Sequence, residues 1–209
     1  MTRRGFVWVA LAALLLGAEA DGADSAAKSG IITGTVTVAG KPTMDVVVSV
    51  EGVPAELAKA RLAAAKAKKA MLDQRAMKFV PHVLPVVLGT TVEFANNDKS
   101  WHNVYSKSEA KSFDLGLFAP GKSRSATFDK PGVVRILCNV HPDMEAFIVV
   151  KEHPYIAAPD SRGNFRIDGV PLGKYRLQVW HPQYGTTDAG VEIVRDGEVL
   201  NVSFDLKKK

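Results

Sequence analysis

From Phe79 onward, apolar and polar positions alternate over short runs, and each run ends at glycine, proline or asparagine. Alternation of period two puts every second side chain on one face of a strand, so it predicts β-structure with one buried face. "HVLPVVLGTTVEFAN" predicts two strands around Gly89-Thr90, and "SRSATFDKPGVVRILC" two more around Lys130-Pro131-Gly132. "EAFIVVKE" is another. Before them, "IITGTVTVAGKPTMDVVVSVEGV" alternates on both sides of Gly40-Lys41-Pro42 and predicts two strands joined by a turn. After Pro154 the strands shorten and sit between glycine-rich turns, as in "DSRGNFRIDGVPLGKYRLQVWHP" and "VEIVRDGEVLNVSFDL". Turns every ~8–12 residues predict an all-β fold of sandwich or barrel type.

One segment breaks this pattern. "PAELAKARLAAAKAKKAMLDQRAM" is dominated by Ala, Lys, Leu and Arg, all good helix formers. Its lysines fall on every side of a helical wheel and leave no wide apolar face. A short, solvated Ala/Lys-rich helix is expected at 54–70.

Charge changes the picture little. The chain carries a formal net charge of +5, but residues 55–78 alone hold seven basic and two acidic side chains. The rest is close to neutral. A nucleic-acid binder spreads its basic residues over a folded face, so no nucleic-acid partner is expected.

The N-terminus "MTRRGFVWVALAALLLGAEA" has two arginines, an apolar run and small residues ending Ala18-Glu19-Ala20. That order predicts a cleaved signal peptide at 1–20 and a periplasmic protein. The run from Phe6 to Leu16 is short for a membrane span, so no stable insertion is expected after cleavage. Residues 21–30, "DGADSAAKSG", predict a disordered linker. In an oxidising compartment the single cysteine, Cys138, has no partner within the chain. It is therefore inert, reactive or a ligand.

The stretch "CNVHPDM" decides which reading to pursue. Cys138 closes one predicted strand, and His141 and Met144 sit on the tight connection to the next, stiffened by Pro142. Thiolate, imidazole and thioether together favour copper. A second histidine, His102 in "NNDKSWHNVYS", follows the strand "TTVEFAN" and can reach the same end of a sandwich from a neighbouring loop. Zinc would accept the cysteine and both histidines, but thioether is a poor fourth ligand for it. A Cys–His nucleophile would need an orienting group and an oxyanion hole, and neither is evident.

Residues 79–151 resemble the cupredoxins, most closely the amicyanin and plastocyanin group. The resemblance rests on "LGTTVEFANNDKSWHNV", "TFDKPGVVRILC" and the C-x-x-H-x-x-M spacing. It implies a Greek-key sandwich at 71–152 holding one copper per chain. His102, Cys138 and His141 would be the strong ligands and Met144 the axial one, with Asn103 supporting the loop that bears Cys138. It also implies a contact patch of His141, Pro142 and Trp101, although Trp101 stands where the family has proline. "GTVTVAGKPTMDVVVSVEG" and "DSRGNFRIDGVPLGKYRLQVWHP" resemble a carboxypeptidase-regulatory, or transthyretin-like, sandwich. Its first strands would lie at 31–53 and its remainder at 153–209, with the cupredoxin inserted between them. The whole is similar to proteins labelled methylamine-utilisation-like.

The expected function is single-electron transfer to redox partner proteins, with no catalytic turnover. A copper carrier remains open, as does a protein- or glycan-binding sandwich with a structural insert. His82 is a further candidate. If a hairpin turns at Gly89-Thr90, residue i faces 179 − i and His82 falls beside Asn97, at the copper end. His153 and His181 precede prolines and are expected at the surface or between domains.

Overall fold

A computed structural model describes residues 28–65 and 70–207. The predicted signal peptide lies outside the described residues, as do residues 21–27 of the predicted linker. The described residues open with β1 (Ser29–Val38), β2 (Lys41–Pro42) and β3 (Val47–Glu51), followed by α1 (Ala55–Ala65). Next come β4 (Ala70–Arg75), β5 (Lys78–Val80), β6 (Val83–Val87), β7 (Thr90–Asn96) and β8 (His102–Lys107). They are followed by β9 (Ser112–Phe118), β10 (Ser123–Phe128), β11 (Gly132–Leu137) and β12 (Glu145–Lys151). The last strands are β13 (Ile156–Ala157), β14 (Asn164–Pro171), β15 (Gly173–His181), β16 (Gly185–Ile193), β17 (Val199–Asn201) and β18 (Phe204–Leu206). Among the described residues the fold is all-β with one short helix.

Strands β4 to β12 form two facing sheets, ordered β10-β7-β4-β5 and β6-β12-β11-β8-β9. The alternation in β7 shows why: Val92 and Phe94 are fully buried while Thr91 and Glu93 face solvent. With Phe128, Val134, Ile136 and Ile148 they build one core, each side chain contributing ~1.5–3 kcal/mol by leaving water. The other strands form a second pair of sheets. In one, β1 runs antiparallel to β14 and parallel to β17 and β18; in the other, β3 lies between β13 and β15. Their shared core includes Ile32, Val36, Val48, Val50, Leu177 and Phe204.

The chain crosses between these bodies twice, after β3 and after β12, and the crossings are tied together. Lys151 Nζ lies 2.5 Å from Glu51 Oε1 and 3.2 Å from Gln178 Oε1. Beside this pair, Val47, Val83 and Val149 pack with Phe147 and Trp180. Ion pair and apolar contact together fix the relative placement of the two bodies. No helix among the described residues is long and apolar enough to cross a membrane.

Four local expectations are corrected. Ser29 and Gly30, assigned to a disordered linker, open β1, where the Ser29 carbonyl accepts the Gly197 N–H at 2.8 Å. The described helix ends at Ala65, and Ala70–Arg75 form a strand that pairs parallel with β7. Burial of Leu72 and Gln74 at 0% exposure overrides the local helix propensity there. Nor is the helix simply solvated. Arg61 donates to the Gly169 carbonyl at 2.9 Å and lies over the Tyr155 ring. Finally, the turn at Gly40 joins β1 to the two-residue β2, while β3 belongs to the other sheet.

Candidate metal centre

The centre is built from the loops at one end of the β4–β12 body. Asn96 closes β7 and shapes the first loop: its Nδ2 donates to the carbonyls of Ser100 and Phe118, and its Oδ1 accepts the Asp98 N–H. The loop delivers His102 to the start of β8 with its ring fully buried. Asp98 Oδ2 lies 3.1 Å from His102 Nε2 and also accepts the Met77 N–H at 2.7 Å. The N–H groups of Met77 and Lys99, and then the His102 ring, hold the Asp98 carboxyl below its ordinary pKa. An ionised carboxylate can only accept, so His102 carries its proton on Nε2 and presents the Nδ1 lone pair inward.

Cys138 follows β11 and is buried. Its loop is anchored by Asn103: Oδ1 accepts the Asn139 N–H at 3.2 Å, and Nδ2 donates to Asp114 at 2.7 Å. His141 is half-buried, and its carbonyl accepts the Met144 N–H at 3.0 Å, closing a tight turn. Met144 is 1% exposed and shares the core with Cys138.

Three donor atoms converge. Cys138 Sγ lies 3.9 Å from His102 Nδ1 and 4.0 Å from His141 Nδ1, and the two Nδ1 atoms are 3.0 Å apart. The point equidistant from those three atoms is about 2.1 Å from each, the length of a metal–nitrogen bond and about 0.2 Å short of a metal–thiolate bond. Two ring nitrogens at 3.0 Å repel unless a cation or proton lies between them. Among the described residues this is the group of His, Cys, Asp or Glu side chains placed to hold a metal ion. One thiolate with two imidazoles suits copper in both oxidation states.

Residues 65–151 match the copper binding proteins of the plastocyanin/azurin family. The match supports a cupredoxin domain. Copper is the metal that both the donor set and this family support. Among solved structures, this cupredoxin domain is similar to a purple cupredoxin from Nitrosopumilus maritimus, at 24% identity over 40% of this chain and 100% of that one, with TM-score 0.37. A copper-containing nitrite reductase from Thermus scotoductus is 28% identical over 41% of this chain and 23% of its own, with TM-score 0.39. A reduced amicyanin variant is 22% identical over 50% of this chain and 98% of its own, with TM-score 0.38.

His82 lies elsewhere. The segments β6 and β7 do not form the expected hairpin: β6 pairs parallel with β12, whereas β7 joins the opposite sheet. His82 Nδ1 is 3.1 Å from Asp45 Oδ1, and its ring meets the Phe147 ring edge-on. His153 sits at the neck beside Glu51, and His181 is buried with Nδ1 accepting the N–H groups of Gln183 and Tyr184.

Sequence reasoning missed Asp98 and Asn96. The available signal was an aspartate four residues before His102, in reach of its ring. Met77 could not be found from the sequence, because its backbone joins this network from a separate hairpin.

Proposed function

We propose that this chain carries single electrons in the periplasm through one copper ion, held by His102, Cys138 and His141 with Met144 as the axial ligand. The observation behind this reading is the triangle of two Nδ1 atoms and one Sγ, sized for a single ion. Copper bound there would supply a one-electron couple between Cu(I) and Cu(II). The side chains hold the donors in place while that charge changes. His102 is fixed by Asp98, the Cys138 loop by Asn103, and the turn from His141 to Met144 by its backbone hydrogen bond. Burial of His102, Cys138 and Met144 keeps water from the ligands on three sides.

His141 is the donor nearest solvent, flanked by exposed Val140 and Pro142, with exposed Trp101 beside His102. That edge is where electrons enter and leave, on contact with a redox partner protein. The reading assigns no substrate turnover to the chain. The periplasmic assignment rests on the N-terminal signal pattern.

The test is optical. The Cu(II)-loaded protein should show an intense visible thiolate-to-copper band. Cys138→Ser should abolish it while leaving the far-ultraviolet circular dichroism of the folded protein. A colourless wild-type copper complex would overturn the assignment.

A further inference from the structure

We infer that the cavity between α1 and β14 binds a small oxyanion, a carboxylate or a phosphate. It lies in the second pair of sheets, apart from the metal centre, and does not depend on the electron-transfer reading. The cavity measures about 230 Å³, and its walls carry Leu57 and Arg61 of α1, Lys28 before β1, Tyr155 before β13 and Gly169 of β14.

Arg61 is the centre of the site. Its guanidinium is half-buried, lies 5.2 Å over the Tyr155 ring, and donates from Nη1 to the Gly169 carbonyl at 2.9 Å. That seat requires glycine, because a Cβ on residue 169 would overlap Nη1. A guanidinium has five N–H donors in a planar fork, and the Gly169 carbonyl takes one of them. No carboxylate pairs with Arg61 among the described residues. An arginine keeps its charge in a protein, so this half-buried cation calls for an anion from outside.

Tyr155 supplies a second donor. It is 3% exposed, and its hydroxyl hydrogen has no acceptor among the described residues. Burial raises its pKa, with Arg61 opposing, so at neutral pH the hydroxyl keeps its proton and can donate.

The charge balance has the same sign. A carboxylate stays charged whatever donates to it, so every flanking acid counts. Glu56, Asp168 and Glu198 offset Lys59, Arg166 and Arg195. Asp196, which accepts the Ser29 N–H, offsets one of Lys28 and Arg61. One positive charge remains, and both charged side chains in the cavity wall are cations. The N–H fork matches two oxygens of one carboxylate or phosphate group. A bound oxyanion would fasten α1, on the first crossing between the two bodies, to the sheet that holds β14.

Proton–nitrogen correlation NMR of the Cu(I)-loaded protein, which is diamagnetic, tests this. Inorganic phosphate or acetate is titrated in, with sodium chloride holding ionic strength constant. The amides of Ser29, Leu57, Arg61 and Gly169 should shift and saturate in the millimolar range. Saturation by phosphate, by acetate or by both supports the site and says which oxyanion it takes. Arg61→Gln should weaken binding by about tenfold or more, the loss of a hydrogen bond to a charged group. Tyr155→Phe keeps the ring beneath Arg61 and should weaken it by about threefold or more, which holds the test if Arg61→Gln loosens α1. Arg166→Gln removes the same charge outside the cavity and should leave the affinity unchanged. Amide shifts here that never saturate would overturn the proposal. So would equal weakening by Arg61→Gln and Arg166→Gln, or an affinity that neither Arg61→Gln nor Tyr155→Phe lowers.

Discussion

His102 Nε2 and the Met77 backbone N–H meet on one oxygen of Asp98, at 3.1 and 2.7 Å. A hairpin outside the donor triangle therefore helps to orient a ring within it. Asp98→Ala removes the acceptor that fixes the His102 tautomer. Copper affinity should fall by about 10- to 100-fold, as is usual when the outer partner of a metal-binding histidine is lost. A competitive chelator titration measures this, and an unchanged affinity would show that core packing alone orients the ring.

Met144 tests the axial assignment. Met144→Leu keeps comparable volume in a fully buried position, so the cost in stability should stay below about 1.5 kcal/mol. Loss of a weak thioether donor disfavours Cu(II) more than Cu(I), so the reduction potential should rise while the visible band persists. His102→Ala should be far harsher, weakening copper binding and changing the spectrum. If voltammetry found the two variants alike, Met144 would not be axial.

The strands were legible because their pattern has a period of two and their ends carry turn residues. The donors were legible because cysteine, histidine and methionine at close spacing are uncommon. Two features were hidden for a physical reason. "AMLDQR" has the composition of a helix, and only its parallel pairing with β7 makes it a strand, a non-local term that no window of sequence contains. Likewise, Gly89 joins segments adjacent in the chain but belonging to opposite sheets, so counting across it misplaced His82. Asp98 was hidden because an aspartate in a polar loop has many uses, and this one is defined only when Met77 arrives.

The His82–Asp45 pair should make stability depend on pH. The Asp45 hydrogen bond raises the His82 pKa above 6.5, and His82 in turn lowers that of Asp45 below 3.8. The histidine contribution is complete below 6.5 and is lost as pH rises through the elevated value. The aspartate contribution is complete above 3.8 and is lost as pH falls through the depressed value. The pair is thus fully present between those two values. Both side chains are more than a third exposed, at 36% and 46%, so screening keeps the effect small. Nearby Glu145 also favours the charged His82, while burial lowers the pKa of neighbouring His181. Because His181 acts in both proteins, the difference in melting temperature between wild type and His82→Gln isolates the pair. It should be larger at about pH 5.5 than at pH 8.5. A pH-independent difference would show that Phe147 packing, not charge, is what His82 contributes.

Gly34 offers a steric test of the β1 sheet. A Cβ there would lie 1.7 Å from the Val202 carbonyl oxygen, with the Phe165 ring at 2.8 Å. Neither backbone can retreat without breaking the pairing of β1 with β17 and β18, which the Val202 N–H to Thr33 carbonyl bond joins at 2.8 Å. Gly34→Ala should destabilise by about 1–3 kcal/mol or more. A melting temperature within error of wild type would mean that β1 and Val202 are not packed as described.

The last prediction concerns how the sheets depend on the first strands. β1 carries β14, β17 and β18 on its edges, and β3 separates β13 from β15. A fragment of residues 153–209 would lack both. Phe165, Ile167, Leu177 and Phe204 would lose Ile32, Val36, Val48 and Val50 from their shared core. The edges of β14 and β15 would also be left open, a ready template for pairing with other chains. Expressed alone, the fragment should be unfolded or aggregated. Adding a peptide of residues 28–53 should restore dispersed NMR signals, because it supplies both missing strands. A well-dispersed spectrum from 153–209 by itself would show that these strands can close a core without β1 and β3.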